Sequence, residues 1–441
     1  MTSSRINGVF CRMNPCDPPD LATLTAWLGH GSCFLGALRT AAEPPVLDDA
    51  GIRGALLNPV RPAATGQSIL DVVPPGVSTC IVVSDQTRYT GIEAVLPVML
   101  DEWTRRGVRE RDLFFLVATG IHRGPTQAET AAILGPAVMD RFAERVFVHN
   151  PDDAANLVEV GRLRAGHTVR VNRRAMEADR LILTGTASYH YHAGFGGGRK
   201  AIVPGLASRD TIAFNHSRTL DPDADRIHPG VEIGRLDGNP VAESMLEGAR
   251  MCDPDAIVNT VLTPSDRLVG LFSGDLDAAH RAACRMVEQV SRADIGERAD
   301  LVLAFAGRAP NWIQSHKALF NASRAVKPGG RIVLVAPCPE GLGNERFRHF
   351  VRMRDLAAIY RELRATAEVN GQTALSTRMR GERTVLVTDM SNADRSDLGI
   401  ETAPTPKAAV AESVKRLRDD GITSPTCWFM PEAMHTVPFT R

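Results

Sequence analysis

The chain is 441 residues long with 44% hydrophobic and 23% charged residues, the balance of an ordinary globular protein with length for two or three cores, neither disordered nor fibrous. Lys plus Arg and Asp plus Glu each number 51, and only 5% of the residues are aromatic, so neither a net positive field nor a basic stripe with stacking rings is available for nucleic acid or an anionic membrane. No apolar run of about 18 residues exists, and the start MTSSRINGVFCRMNPCDPP lacks the apolar core of a signal peptide, so a cytoplasmic protein without membrane contact is expected.

Residues 1–45 show no period and are punctuated by Pro and Gly, which predicts an irregular N-terminal segment. Thr79 to Val83 (TCIVV) is a short β-branched run that reads as a buried strand. Ile92, Val95, Leu96, Met99, Leu100 and Trp103 then recur on one helical face that ends near Gly107, and Leu113 to Ala118 (LFFLVA) is a second buried strand. This strand, helix, strand order predicts a parallel sheet covered by helices. It continues with a capping box at Thr126 and Glu129 opening a helix through Leu134, and with strands Arg145 to Val148 and Arg180 to Leu183.

After about residue 290 the rhythm restarts. Strand Leu301 to Ala306, helix Ile313 to Val326, a Pro328-Gly329-Gly330 turn and strand Arg331 to Val335 are followed by helix Leu356 to Thr366, strand Thr384 to Thr388, helix Lys407 to Arg418 and a final strand Cys427 to Met430. The expectation is two α/β domains with mostly parallel sheets, 46–290 and 291–441, with the active site in the cleft between them.

Eight cysteines, at 11, 16, 33, 80, 252, 284, 338 and 427, include no C-x-x-C pair and read as reduced packing thiols. Only five of the 51 basic residues are lysine, at 200, 317, 327, 407 and 415. Where arginine is the default cation, a retained lysine marks a place where a compact nucleophilic amine is of use.

Ligands of open α/β sheets bind beyond the carboxyl ends of the strands, and three such ends carry reactive groups. They are Ser84-Asp85-Gln86-Thr87-Arg88, Thr119-Gly120-Ile121-His122-Arg123, and the stretch Thr184 to Gly205, which holds His190, Gly194, Gly196, Gly197, Gly198 and Lys200. Taken singly, Asp85 with Arg88 is an ordinary turn pair and His122 an ordinary loop histidine. Three polar loops leaving one sheet edge, each with a titratable group, point to a site. The glycines read as a phosphate cradle. It is not a nucleotide-hydrolysing loop, because Ala201 rather than Ser or Thr follows Lys200, and Pro204-Gly205 interrupts any helix a dinucleotide fingerprint would open. Ser208 reads as the N-cap of a short helix to Leu220 that carries His216. One histidine without partners at ligand spacing is a weak metal site unless a bound cofactor brings the remaining ligands.

These motifs together, S-D-x-T-R at 84–88, G-x-H-R at 120–123, H-x-x-A-G-F-G-G-G-R-K at 190–200, I-x-P-G at 202–205, T-I-x-x-N-H at 211–216, and Gln314-x-x-Lys317 followed by P-E-G-x-G at 339–343, resemble the nickel-pincer nucleotide-dependent lactate racemase family of 2-hydroxy acid racemases and epimerases. The resemblance spans about residues 50–435 and departs at Tyr89-Thr90, where many relatives have proline. It implies that Lys200 links covalently to the pyridinium nucleotide, that His216 is the protein's nickel ligand, and that His122 and His190 are the acid/base pair. It further implies that Arg88, Gln314 and Lys317 bind substrate or polar cofactor groups, with Asp85 orienting its neighbours. The implied partners are a small 2-hydroxy acid and the enzymes that make the cofactor. A redox enzyme using the same cofactor, and a catalytically silent nucleotide- or metal-binding protein, are the alternatives the residues leave open.

Overall fold

The computed structural model describes residues 18–40, 44–61, 68–366 and 368–440. Cys11 and Cys16 lie outside them, and the other six cysteines are free thiols. Two compact units divide the chain. The larger comprises Thr40–Arg292 with Asp355–Gln372, and the smaller comprises residues through Arg39 with Ala293–Arg354 and those from Thr373 onward.

In the larger unit, the Thr79–Ser84 strand alternates Ile81 and Val83 toward one core and Cys80 and Val82 toward another, so both faces of the sheet are covered. The Ile92–Arg105 helix buries Ile92, Val95, Leu96, Met99, Leu100 and Trp103 on the first face, each such side chain contributing roughly 1.5–3 kcal/mol by transfer from water. The Gln127–Leu134 helix opens on the expected box, Thr126 Oγ1 accepting from Glu129 N at 3.2 Å and a Glu129 oxygen accepting from Thr126 N at 2.7 Å.

The sheet order is Leu268–Gly274, Ala256–Leu262, Arg180–Ala187, Thr79–Ser84, Leu113–Ala118, Val146–Val148, all parallel except the first pair. The chain steps outward from Thr79–Ser84 through two strands and then returns to its other side at Arg180–Ala187. The order thus reverses between these two neighbours, whose carboxyl ends mark the place where open α/β sheets bind their ligands.

The smaller unit carries a six-stranded parallel sheet in the order Cys33–Ala37, Thr426–Met430, Ala299–Phe305, Val326–Val335, Thr384–Val387, Glu401–Thr402. The described part of 1–45 is therefore not irregular. Its Leu21–Leu28 helix buries Leu24 and Leu28 in one core with Val410, Val414 and Leu417, and its strand pairs with Thr426–Met430. A pairing partner so far along the chain leaves no local period. The expected Pro328-Gly329-Gly330 turn is absorbed into the ten-residue Val326–Val335 strand as a register break, with Gly329 at φ +82°. The strand at Thr426–Met430 is not the last, because Val437–Thr440 follows and pairs with Arg292–Ile295. No helix among the described residues is long and apolar enough to cross a membrane.

Candidate active site

The loop after Thr79–Ser84 turns on Asp85, whose Oδ1 accepts from Thr87 N at 3.0 Å and Thr87 Oγ1 at 2.6 Å. Its Oδ2 faces His122 Nδ1 at 2.6 Å. Burial pushes the Asp85 carboxyl up, but the bond and charge of His122 and the Thr87 donors outweigh it and hold the group below its ordinary range. Ionised Asp85 fixes the proton of His122 on Nδ1 and leaves Nε2 as the acceptor, on a side chain 46% exposed. Arg88 closes this loop, and Gln86 Nε2 donates to Arg123 O at 3.2 Å, tying it to the loop that carries His122.

The Arg180–Ala187 strand runs four residues beyond the expected Leu183, because Thr184 to Ala187 continue the pairing with Ala256–Leu262. A tight hairpin, Tyr189–His190 against Gly194–Phe195, follows. In it His190 Nδ1 accepts the backbone N–H groups of His192 at 3.2 Å and Ala193 at 3.1 Å, so the neutral ring carries its proton on Nε2. His122 and His190 thus hold opposite tautomers. Burial, then the charges of Lys200 and Arg88, push the His190 imidazole well below its usual range.

The glycine loop lies on the protein itself. Gly196 N donates to Ser188 O at 2.7 Å and Gly198 N to Asn259 Oδ1 at 2.7 Å, so these amides of the expected phosphate cradle are already engaged. At Gly197, with φ +77°, a Cβ would sit 2.9 Å from both Asn259 Oδ1 and Thr186 O. A short 3₁₀ turn, Gly198–Ala201, then delivers Lys200, and Gly120 N donates to Gly205 O at 3.0 Å, binding the His122 loop to this segment.

The Arg209–Ser217 helix carries His216. Ser208 stands at its N-cap position, though its hydroxyl turns to Asp210 and Thr211 instead of capping. His216 Nδ1 donates to Ile212 O at 2.9 Å, leaving Nε2 with its lone pair, and burial pushes the imidazole down to about 4. The charges of Lys200 and His122 bear on His216, and those of Lys200, Arg88, His192 and His216 on His190. The structure therefore brings Asp85, Arg88, His122, His190, Lys200 and His216 into one neighbourhood of the larger unit.

Gln314 and Lys317 lie in the smaller unit, on the Trp312–Ala325 helix. Lys317 Nζ donates to Gln314 Oε1 at 3.1 Å, and Asn311 caps the helix by accepting from Gln314 N at 3.2 Å. The Pro339–Gly343 loop packs on the helix start through a bond from Trp312 N to Gly341 O at 2.9 Å. Sequence reasoning missed His192, Asn259, Arg199 and His280. His192 stood inside a quoted motif, whereas Asn259 and His280 reach the glycine loop from 61 and 84 residues away with no local sign.

An α/β sheet whose reversal point gathers two oppositely set histidines, a lysine and a third histidine defines an enzyme with proton-handling groups at its centre. Residues 32–227 match the Lactate racemase N-terminal domain. The lactate racemase of Thermoanaerobacterium thermosaccharolyticum is 32% identical over 308 residues, 69% of either chain, and that of Lactiplantibacillus plantarum is 30% identical over 339 residues, 75% of this chain and 76% of that one. The solved structure of the T. thermosaccharolyticum lactate racemase apoprotein matches with a TM-score of 0.80 at 25% identity, over 92% of this chain and 95% of the other. A Thermotoga maritima protein of known structure shares the fold at 16% identity, with a TM-score of 0.66 over 91% of this chain and all of that one. The chain belongs to the lactate racemase family, a family of isomerases.

Proposed function

We propose that the protein inverts the C2 configuration of a small 2-hydroxy acid through a planar 2-keto acid, using a nickel-pincer nucleotide held on Lys200. The observation that carries this reading is the opposite setting of His122 and His190 around a neighbourhood that also holds Lys200 and His216.

The residues fit the group. Among the described residues no cluster of three or more His, Cys, Asp or Glu is placed to hold a metal alone, so His216 suits a metal whose other ligands arrive with a cofactor. Its Nδ1 anchored on a backbone carbonyl and its neutral ring are the conditions for ligation through Nε2. When bound, the nickel nucleotide supplies a hydride acceptor for C2, chemistry that imidazole, with a reference pKa of about 6.5, cannot replace by removing the C2 proton.

The chain's own residues handle the proton and the orientation. His122 takes the hydroxyl proton at Nε2, and Asp85 stabilises the imidazolium that results. His190 is the proton-handling group on the opposite face: its Nε2–H donates to the keto oxygen, and it serves as the acid once the His192 and Ala193 N–H groups release Nδ1 to take up a proton. Arg88 holds the substrate carboxylate while the ketone turns, the role that the family resemblance also gives Gln314 and Lys317.

Protein co-produced with the cofactor's biosynthetic enzymes tests the reading by intact mass, peptide mapping and nickel analysis, followed by chiral chromatography on single enantiomers of lactate and larger 2-hydroxy acids. The expected result is an adduct on Lys200, about one nickel per chain and the same enantiomer mixture from either side. An unmodified Lys200 after exposure to cofactor, or keto acid accumulating without inversion, overturns it.

A further inference from the structure

His280 lies in the first turn of the Ala278–Ser291 helix, fully buried, and none of the steps above uses it. Its Nε2 donates to Gly196 O at 2.7 Å, and its Nδ1 accepts from Arg199 Nη1 at 3.0 Å. The ring also fills the space beside Gly198, where a Cβ would stand 2.8 Å from His280 Cδ2, and Gly198 sits at φ +52°. Arg199 is 2% exposed, and its Nε and Nη2 have no hydrogen-bond partner.

Burying a guanidinium with two uncommitted nitrogens is costly, and a solvent-facing arginine at this position would avoid that cost. Its one hydrogen bond here goes to His280. A cation donating into Nδ1 forces the imidazole to stay neutral with its proton on Nε2, the atom that holds Gly196. Burial followed by the Arg199 charge pushes His280 down to about 3, in keeping with that geometry. With Asn259 holding Gly198 N, the loop is pinned at Gly196, Gly198 and Arg199, immediately before Lys200.

We propose that His280, locked in one tautomer by Arg199, is a positioning residue that sets the glycine loop so that the Lys200 amine is presented for covalent attachment. The inference rests on the reading of Lys200 as the attachment site, and a residue that merely fills space would lack its dependence on one ring nitrogen. His280→Gln keeps an amide donor where Nε2 stood. His280→Asn keeps a polar group near Arg199 and cannot reach Gly196 O.

The test is competitive acetylation of the apoprotein with trace acetic anhydride, with Lys200 labelling read by peptide mapping against Lys407 and Lys415. In His280→Asn, Lys200 labelling relative to these lysines shifts by about fivefold or more, while His280→Gln stays close to wild type. Melting temperatures identify any variant that fails to fold. Should His280→Asn be one, Arg199→Met, which removes the tautomer lock, gives the same shift in a folded protein. Unchanged labelling in the folded variants, or equal shifts in His280→Gln and His280→Asn, overturns the proposal. Adduct occupancy after loading is read in parallel. Wild type without an adduct refutes the attachment reading, and labelling then decides the positioning role by itself.

Discussion

Nδ1 of His122 lies 2.6 Å from Oδ2 of Asp85, while the other carboxylate oxygen is held by the backbone and hydroxyl of Thr87. The acid is 3% exposed and held below its ordinary range against the opposing effect of burial. Asp85→Asn removes the charge that fixes the His122 tautomer and steadies its charged form. Turnover is expected to fall by about 100-fold with a smaller change in KM, checked by steady-state kinetics on each enantiomer. Stability that wild type draws from Asp85 is present above the ordinary carboxylate range and is lost as pH falls through the lowered value, so the variant shows a shallower acid melt.

Replacing His216 separates the metal from the nucleotide. In His216→Ala, nickel content is expected to fall by about tenfold or more while the Lys200 adduct persists, read by elemental analysis beside intact mass. Equal nickel in variant and wild type would remove His216 from the ligand set.

His149 gives a pH dependence outside the site. Nε2 donates to Ala207 O at 3.0 Å, Nδ1 accepts from Asn172 Nδ2 at 3.1 Å, and burial pushes the imidazole down to about 4. The unfolded chain binds a proton near pH 6.5 that the folded one refuses, so stability is complete above that pH and declines as pH drops toward 4, by about 3 kcal/mol across the window. Thermal melts from pH 7.5 to 4.5 should show the decline, and His149→Gln should lessen it, leaving the part that His190, His216 and His280 contribute by the same linkage.

Gly197→Ala places a methyl 2.9 Å from two oxygens at a φ of +77°. A loss of about 2 kcal/mol is expected in denaturant unfolding. In an Asn259→Ala background, where one of the two oxygens is gone, the same Gly197→Ala step should cost less, read as a double-mutant cycle.

Local chemistry made much of the larger unit legible. The apolar face of Ile92–Arg105 and the Thr126–Glu129 box are short-range signals, and the polar loops could be placed because parallel strands direct their carboxyl ends alike. What escaped depends on distant partners. Thr184 to Ala187 looks like a loop and is a strand only because Ala256–Leu262 lies beside it. The Leu157–Arg162 and Thr168–Asn172 hairpin carries no sharp alternation, and Cys33–Ala37 is ordered by residues near the other end of the chain. The glycines were visible, but their close approach to Asn259 and His280 was written in side chains elsewhere.

The Cys33–Ala37 strand has a single sheet neighbour, Thr426–Met430. During synthesis this strand therefore has no edge to join until Thr426–Met430 has left the ribosome, whereas the six-stranded sheet of the larger unit is complete once Gly274 has emerged. His122, His190 and His216 can be brought together while Cys33–Ala37 still waits for its partner, so a premature stop shortly before residue 426 would leave the larger sheet built and that strand unpaired.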